Sequence, residues 1–468
     1  MPEGYLDVQP SPTKSKLQAI AAEMFGLMMR NVATADVVYD DPAPPPPPAP
    51  PPGPSLSGCV LASPSFPQNS SSGKQNYVHN WTRDAAITMM EITAPSAPPG
   101  TNVGRLMSDY INFADACQQN APPHEFSIAC FRIDGQPRCD PGFQNCWSAQ
   151  SDGPALQTLA ILDSYQSLDA ATKATARTVI ERNLRYLLNP SADNDPPNVP
   201  GYQSKTDSPW EEEHGYSFYA RAVQLKCLRA TKDHPYDITV PANLDDAIAW
   251  LAGKVSAHWT GEYYATFEPG TAIDPAPADQ HRAPYDPNSD ILMACLYGAV
   301  AVTDERLLAT AAAIRDVYTD PTTGYPINQD DEKLGYGPLI GRYPGDYYDG
   351  DVNDSPTNKD HPWILCSCNL AEIYCRLATA IEQGAPIPTD PMLERFYEQI
   401  QLPSPPDEQA AITSLRGAGG RILRAVIYHS DNLELSEQLD QSTGFQKSVS
   451  NLTWSYAAFL SAVRACAT

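Results

Sequence analysis

Positive charge is scarce in this chain of 468 residues: 31 lysines and arginines face 56 acidic residues, a formal net charge of −25. Such a surface repels phosphate backbones and anionic lipid, which argues against nucleic acid and membrane surfaces as partners. Long apolar runs are lacking too, and no stretch reaches the ~18 uninterrupted apolar residues of a transmembrane helix. A cleavable signal peptide is missing. The first apolar run, Leu17 to Met29, contains Glu23 and follows acidic and proline residues. Secretion is the expected location, from a processed or engineered start, with an intracellular protein as the alternative. Cysteine patterns for zinc are absent: Cys366 and Cys368 are spaced for neither a metal site nor a redox pair. No metal and no cofactor is expected. Cys139 and Cys146, in a Gly/Pro-rich loop, suit a disulfide. With 42% hydrophobic and 19% charged residues, the chain is globular and not disordered.

Proline is plentiful, 47 residues, densest from Pro42 to Pro54. That run is expected to be polyproline II without a helix or strand of its own. Only one amphipathic helix, about Ser15 to Arg30, precedes it, and one helix makes no core. The run therefore reads as a loop inserted at about 40–56 within one domain, the alternative being a linker behind an N-terminal tail. Beyond it, helical segments alternate in character. Trp81 to Ile92, Gly153 to Leu168, Gly215 to Arg229, Asp290 to Val302, Pro362 to Ala380 and Asn451 to Cys466 are apolar nearly all round, as buried helices are. Val103 to Cys117, Ala170 to Leu188, Ala242 to Val255, Arg306 to Tyr318 and Gly420 to His429 are amphipathic. With the N-terminal helix, this makes about twelve helices in an all-α protein, alternating between an outer and an inner layer. The inner helices would run parallel, so the loops leading into them share one end.

Unusual residues collect in those loops: Trp81 to Asp84, Trp147 and Asp152, Trp210 to Glu213, Arg282 and Asp286, Arg342 to Asp346 with Trp363, and Glu437 with Trp454. Singly, each has a plain explanation, since acids cap helices and tryptophans fill cores. Jointly they gather aromatic faces, arginines and carboxylates around one hollow. Sugars need that mixture, because rings cover pyranose C–H faces and charged forks bind paired hydroxyls. Glycoside hydrolysis adds two carboxyl groups, one protonated and one ionised. Mutual repulsion among the adjacent glutamates 211–213 would keep a proton available.

The motifs Trp81-Thr82-Arg83-Asp84, Asp152-Gly153-Pro154-Ala155-Leu156, Trp210-Glu211-Glu212, Gly341-Arg342-Tyr343-Pro344, Pro362-Trp363, Ser436-Glu437-Gln438 and Leu452-Thr453-Trp454-Ser455-Tyr456-Ala457-Ala458 resemble, in order, those of glycoside hydrolase family 15, the glucoamylases. The resemblance implies an (α/α)6 barrel of six inner and six outer helices. It places Glu211 at the general acid and Glu437 at the general base. Arg83, Asp84 and Arg342 would hold the terminal glucose and Glu212 the next sugar. Trp147 would flank the cleavage point, Tyr77 and Trp210 would line the pocket, and Trp363 and Trp454 would be pocket wall or core. The implied activity is exo-acting and inverting, releasing β-D-glucose from α-1,4-glucans such as starch and maltooligosaccharides. A monomer is expected.

The chain departs from the family pattern in places. His79 stands where the fungal enzymes commonly have tyrosine, and Gly345 replaces an acid. Trp147 lies one residue nearer Asp152 than the fungal spacing. The acidic stretch Asp349 to Asp360 is extra; Asp349, Asp351, Asn353 and Asp354 suit calcium, but a solvated loop is favoured. No starch-binding module is expected after the barrel. Of the sequons at Asn69, Asn80 and Asn451, only Asn69 lies outside the pocket motifs. Hydrolysis of α-1,6-glucan (glucodextran) or trehalose on the same barrel is the first alternative. A non-catalytic carbohydrate-binding or regulatory barrel is the second, disfavoured by the retention of both glutamates.

Overall fold

The computed structural model describes residues 14–41, 53–64, 76–121, 127–138, 149–234, 236–273, 285–350, 360–402 and 407–467. Fourteen α-helices occur among them. In chain order they are α1 (Lys14–Met29), α2 (Thr82–Ile92), α3 (Val103–Asn120), α4 (Asp152–Ser164), α5 (Ala170–Leu188), α6 (Phe218–Asp233) and α7 (Leu244–Ser256). Then follow α8 (Asp290–Leu296), α9 (Glu305–Thr319), α10 (Pro326–Lys333), α11 (Ile364–Glu382), α12 (Glu394–Gln399), α13 (Glu408–His429) and α14 (Thr453–Cys466).

Six of these, α2, α4, α6, α8, α11 and α14, form a closed ring: each packs on the next, and α14 returns to α2. They are the segments that read as apolar all round, and most of their residues are buried. The amphipathic helices form the second layer. Helix α1 packs on α14, α5 on α4, α7 on α6, α9 on α8 and α13 on α11, with α3 against α5. The architecture is an (α/α)6 barrel, and the short helices α10 and α12 are additions resting on α9. Helix α11 is long and apolar enough to cross a membrane, but it is a buried member of the ring.

Side-chain capping is commoner in the outer layer, although inner helix α6 is capped by Ser217. Four outer helices carry side-chain caps, Asn102 on α3, Asp169 on α5, Asp304 on α9 and Asp407 on α13, whereas α7 has none. Five inner helices, α2, α4, α8, α11 and α14, have no side-chain cap. Neighbouring loop carbonyls serve instead, as in Thr82 N–H to Ala129 O (2.9 Å) and Thr453 N–H to Ala62 O (2.8 Å). Backbone satisfaction at this end therefore ties each inner helix to a loop, which fixes the loops in place.

Two boundaries differ most from the sequence expectation. Helix α13 begins at Glu408, twelve residues before Gly420. Gly417, Gly419 and Gly420 lie inside this helix, and Gly419 allows close packing on α11. A Cβ on Gly419 would lie 2.5 Å from Cys375 Sγ and 2.9 Å from Ala371 O. Helix α8 stops at Leu296, not Val302, because Ala299 N–H bonds to Ala222 O (3.0 Å) and Gly298 abuts Ala222. A disulfide that the spacing did not suggest, Cys375–Cys466, ties α11 to α14. Cys139 and Cys146 lie outside the described residues, as do residues 42–52 of the proline run. Its flanks meet: Ser55 N–H bonds to Tyr39 O (2.9 Å) and Tyr39 N–H to Ser55 Oγ (2.8 Å).

Candidate active site

The strands Thr206–Asp207 and His214–Gly215 pair antiparallel, with Asp207 opposite His214. The residues between them form a tight tip, closed by Ser208 N–H to Glu213 O (2.8 Å) and Glu211 N–H to Ser208 O (3.0 Å). Glu211 adopts φ +64°, a left-handed conformation that a glutamate keeps only when its surroundings dictate it. Those surroundings are specific. Tyr285 donates to Ser208 Oγ (2.8 Å), and the Trp210 indole donates to Asn288 Oδ1 (2.9 Å). Glu211 Oε1 accepts from Trp81 Nε1 and from Gln150 Nε2, both at 2.8 Å.

Glu212 turns to other partners. It accepts from Arg342 Nη2 (2.7 Å) and from the Tyr343 hydroxyl (2.5 Å). The expected mutual repulsion of neighbouring glutamates is therefore not how the tip is built, because consecutive side chains diverge and Arg342 balances the second. Burial pushes the Glu212 carboxyl up to about 7 against the opposing pull of Arg342.

Glu437 precedes the strand Gln438–Leu439, which pairs with Gln446–Lys447. Its carboxylate is buried and receives three hydroxyls: Tyr77 on Oε1 (3.1 Å), Tyr348 on Oε2 (3.1 Å) and Ser448 on Oε2. Burial raises its pKa, while these donors favour the ionised form and oppose the rise. The Tyr77 ring packs on Trp81 with centroids 5.5 Å apart. One aromatic pair thus bridges the partners of both glutamates: Trp81 bonds Glu211, and Tyr77 bonds Glu437.

Arg83 and Asp84 open α2 beside them. Arg83 donates to Gln150 Oε1, to Asp152 Oδ2 (3.2 Å) and to Pro209 O (3.1 Å), and its guanidinium lies 5.0 Å from the Trp454 ring centroid. Asp84 Oδ2, 3.7 Å from Arg83 Nε, has no hydrogen-bond partner among the described residues. Burial pushes this carboxyl up to about 7, with Arg83 opposing. Arg342 grips Asp346 through Nε (2.7 Å) and Nη2 (2.6 Å) and is walled by the rings of Trp210, Trp363, Tyr343 and Tyr348. The buried indole nitrogens of Trp363 and Trp454 also lack a partner among the described residues. Such buried polar atoms occur elsewhere in the molecule too, but these three lie among aromatic walls and charged forks, where the hydroxyls of a polyhydroxylated ligand would satisfy them.

Of the residues singled out in the sequence, Tyr77, Arg83, Asp84, Trp210, Glu211, Glu212, Arg342, Trp363 and Glu437 are linked through these contacts. Trp147 and Arg282 lie outside the described residues. Asp286 serves elsewhere, accepting from Thr266 N–H (2.9 Å) and Oγ1 (3.0 Å). Of the residues with oxygen ligands for calcium, Asp349 pairs with Lys447 (3.1 Å), and Asp351, Asn353 and Asp354 are not described. Sequence reasoning missed Gln150, Tyr348, Asn288 and Ser448 as partners of the site. The register placing Ser448 beside Glu437 comes from strands of two residues, too short to leave a periodic pattern.

The curated glucoamylase of Blastobotrys adeninivorans is 25% identical over 434 residues, covering 86% of this chain and 66% of its own length. Glucoamylase 1 of Rhizopus oryzae is 25% identical over 439 residues, with 87% and 66% covered. The chain thus spans just under two thirds of the length of these two relatives. The solved glucoamylase from Saccharomycopsis fibuligera superposes with a TM-score of 0.71 at 21% identity, covering 99% of this chain and 97% of that one. The profile of the glycosyl hydrolases family 15 matches residues 53–464, and the chain belongs to that family.

Proposed function

We propose that this chain is an exo-acting, inverting α-glucoside hydrolase that releases β-D-glucose from the non-reducing ends of α-1,4-glucans. The observation that carries the reading is the pair of carboxyl groups, Glu211 and Glu437, joined to opposite members of the Trp81–Tyr77 pair. Protonated Glu211 donates to the glycosidic oxygen as the C–O bond breaks. Glu437, ionised, takes a proton from a water whose oxygen bonds to the anomeric carbon from the other face. One displacement inverts the centre, so an α-linkage gives β-glucose. The names of the curated relatives support the substrate class.

Arg83, Asp84 and Arg342 are assigned to the hydroxyls of the terminal glucose, and Trp210 and Trp363 to its apolar faces. Glu212 is assigned to the next sugar, and Trp147 to the flank of the cleavage point. The Cys375–Cys466 cross-link supports an oxidising compartment and hence secretion.

Proton NMR of a fresh maltotriose digest, read before mutarotation, tests the reading. β-Glucose should appear first. Initial α-glucose overturns inversion, and early fragments longer than glucose from longer chains overturn exo-action. Faster cleavage of isomaltotriose or trehalose than of maltotriose moves the assignment to the α-1,6 or trehalose alternative.

A further inference from the structure

His214 stands three residues beyond Glu211, on the returning strand of the same hairpin. Its ring bridges two carboxylates: Nδ1 lies 2.6 Å from Asp207 Oδ1, and Nε2 lies 3.3 Å from Asp195 Oδ2. Asp207 is on the facing strand, and Asp195 is on the segment leading into the hairpin. A neutral imidazole carries a single N–H and can donate to only one of them; the imidazolium donates to both.

The contacts continue toward the catalytic groups. Asp207 Oδ2 accepts from Ala149 N–H (3.2 Å), and Asp207 N–H donates to Ala149 O (3.0 Å). The next residue, Gln150, donates to Glu211. The base of the hairpin and the Glu211 partner Gln150 are thus fastened at one point, and His214 fastens that point to the Asp195 segment. His214, Asp207 and Asp195 do not themselves bond Arg83, Asp84 or Arg342 of the proposed glucose site. Arg83 meets this framework through Gln150 Oε1 and Pro209 O, and Arg342 through Glu212, while Arg83 keeps Asp152 and Arg342 keeps Asp346 as separate anchors.

We propose that His214, as an imidazolium held between Asp207 and Asp195, is a positioning residue that keeps the left-handed tip, and with it Glu211, aligned for proton donation. The proposal rests on the reading of Glu211 as the acid. The ionisable groups around the ring are Asp207 across the hairpin, Asp195 with Lys205 (Nζ 3.6 Å from Asp195 Oδ2) on the preceding segment, and Glu213 beside it in the chain. Burial opposes the ring's charge, but the hydrogen bond and charge of Asp207, then Asp195, outweigh it and raise His214 above its ordinary pKa. The double contact is therefore complete below the ordinary histidine range and is lost as pH rises through the raised value.

The test compares kcat on maltotriose for wild type and His214→Gln from about pH 5 to about pH 9, alongside binding of a non-hydrolysed glucose analogue. Taking the ratio of the two kcat values cancels any titration common to both proteins. The expected result is a ratio of about ten at acid pH that falls toward one as His214 deprotonates, with analogue affinity changed less than about twofold. A ratio near one at acid pH overturns the positioning role, and a ratio constant with pH overturns the need for the charged ring. Asp195→Asn, which removes one carboxylate and keeps the histidine, should show the same falling ratio at smaller amplitude. It decides the matter if His214→Gln does not fold by circular dichroism. Glu211→Gln assayed in parallel separates the two claims: if it retains turnover the acid assignment fails, whereas an inactive Glu211→Gln beside a fully active His214→Gln sinks only the positioning role.

Discussion

The Trp81 indole donates a 2.8 Å hydrogen bond to Glu211 while its ring packs on Tyr77, so one side chain both aims the proposed acid and spaces it from the base. Trp81→Phe keeps an aromatic ring there and deletes the N–H. The expected loss is about tenfold in kcat with little change in KM, because the acid is misaimed and the sugar contacts remain. Steady-state kinetics on maltotriose check this; an unchanged kcat would show that Gln150 suffices.

The hydroxyls around Glu437 give a pH prediction with a definite sign. Burial raises this carboxyl, and the bonds from Ser448, Tyr77 and Tyr348 hold it down by favouring the ionised form. Ser448→Ala removes one such donor, so the pKa climbs further. Since the base must be ionised, the acid limb of the kcat profile should move to higher pH, by about half a unit or more. A shift to lower pH would contradict the assignment of Glu437 as base.

Asp84 exchanges stability for binding. Its folded-state carboxyl stands at about 7, above the usual carboxylate value. The folded form therefore gains proton-linked stability below the ordinary carboxylate range and loses it as pH rises toward 7. Asp84→Asn should raise Tm by about 2–4 °C at neutral pH, less at pH near 4, and should greatly weaken turnover. Calorimetry at the two pH values, with an activity assay, checks both arms. A lower Tm at neutral pH would mean that Arg83 depends on the Asp84 charge.

Because Tyr39 and Ser55 are hydrogen-bonded to each other, the ends of the proline run are already closed. Halving a loop changes its closure entropy by only about 0.6 kcal/mol. Replacing residues 42–52 with a short Gly/Ser linker should leave Tm and activity near wild type. A large loss of either, seen by thermal melts and glucose release, would show that the run packs on the barrel.

Legibility of the fold followed the length of the pattern. Inner helices such as Ile364–Glu382 stand out because burial on most sides demands apolar residues over many turns. The start of α13 was hidden because Gly417, Gly419 and Gly420 look like a break, and only the neighbouring Cys375 explains the need for no side chain at Gly419. In the site, charged and aromatic residues of the loops were visible from their chemistry. Their directions were not: Glu211 and Glu212 are adjacent in sequence yet face Trp81 and Arg342 respectively, a divergence set by the positive φ at Glu211. Small polar partners such as Ser448 and Gln150 carried no mark of their role, since serine and glutamine are common on any surface.

The closed ring also constrains how the molecule assembles. Its last joint sets α14 against α2 and α1, pairing segments separated by most of the sequence. Contacts of such separation are slow to form. During synthesis the other five ring helices emerge first, exposing α2 and α11 edges that await a common partner. Until α14 arrives, the nascent barrel is an open arc with two apolar flanks, the form in which it is most prone to associate wrongly. The Cys375–Cys466 bond joins α11 to that last segment, so oxidation after closure turns a late and reversible docking into a permanent one.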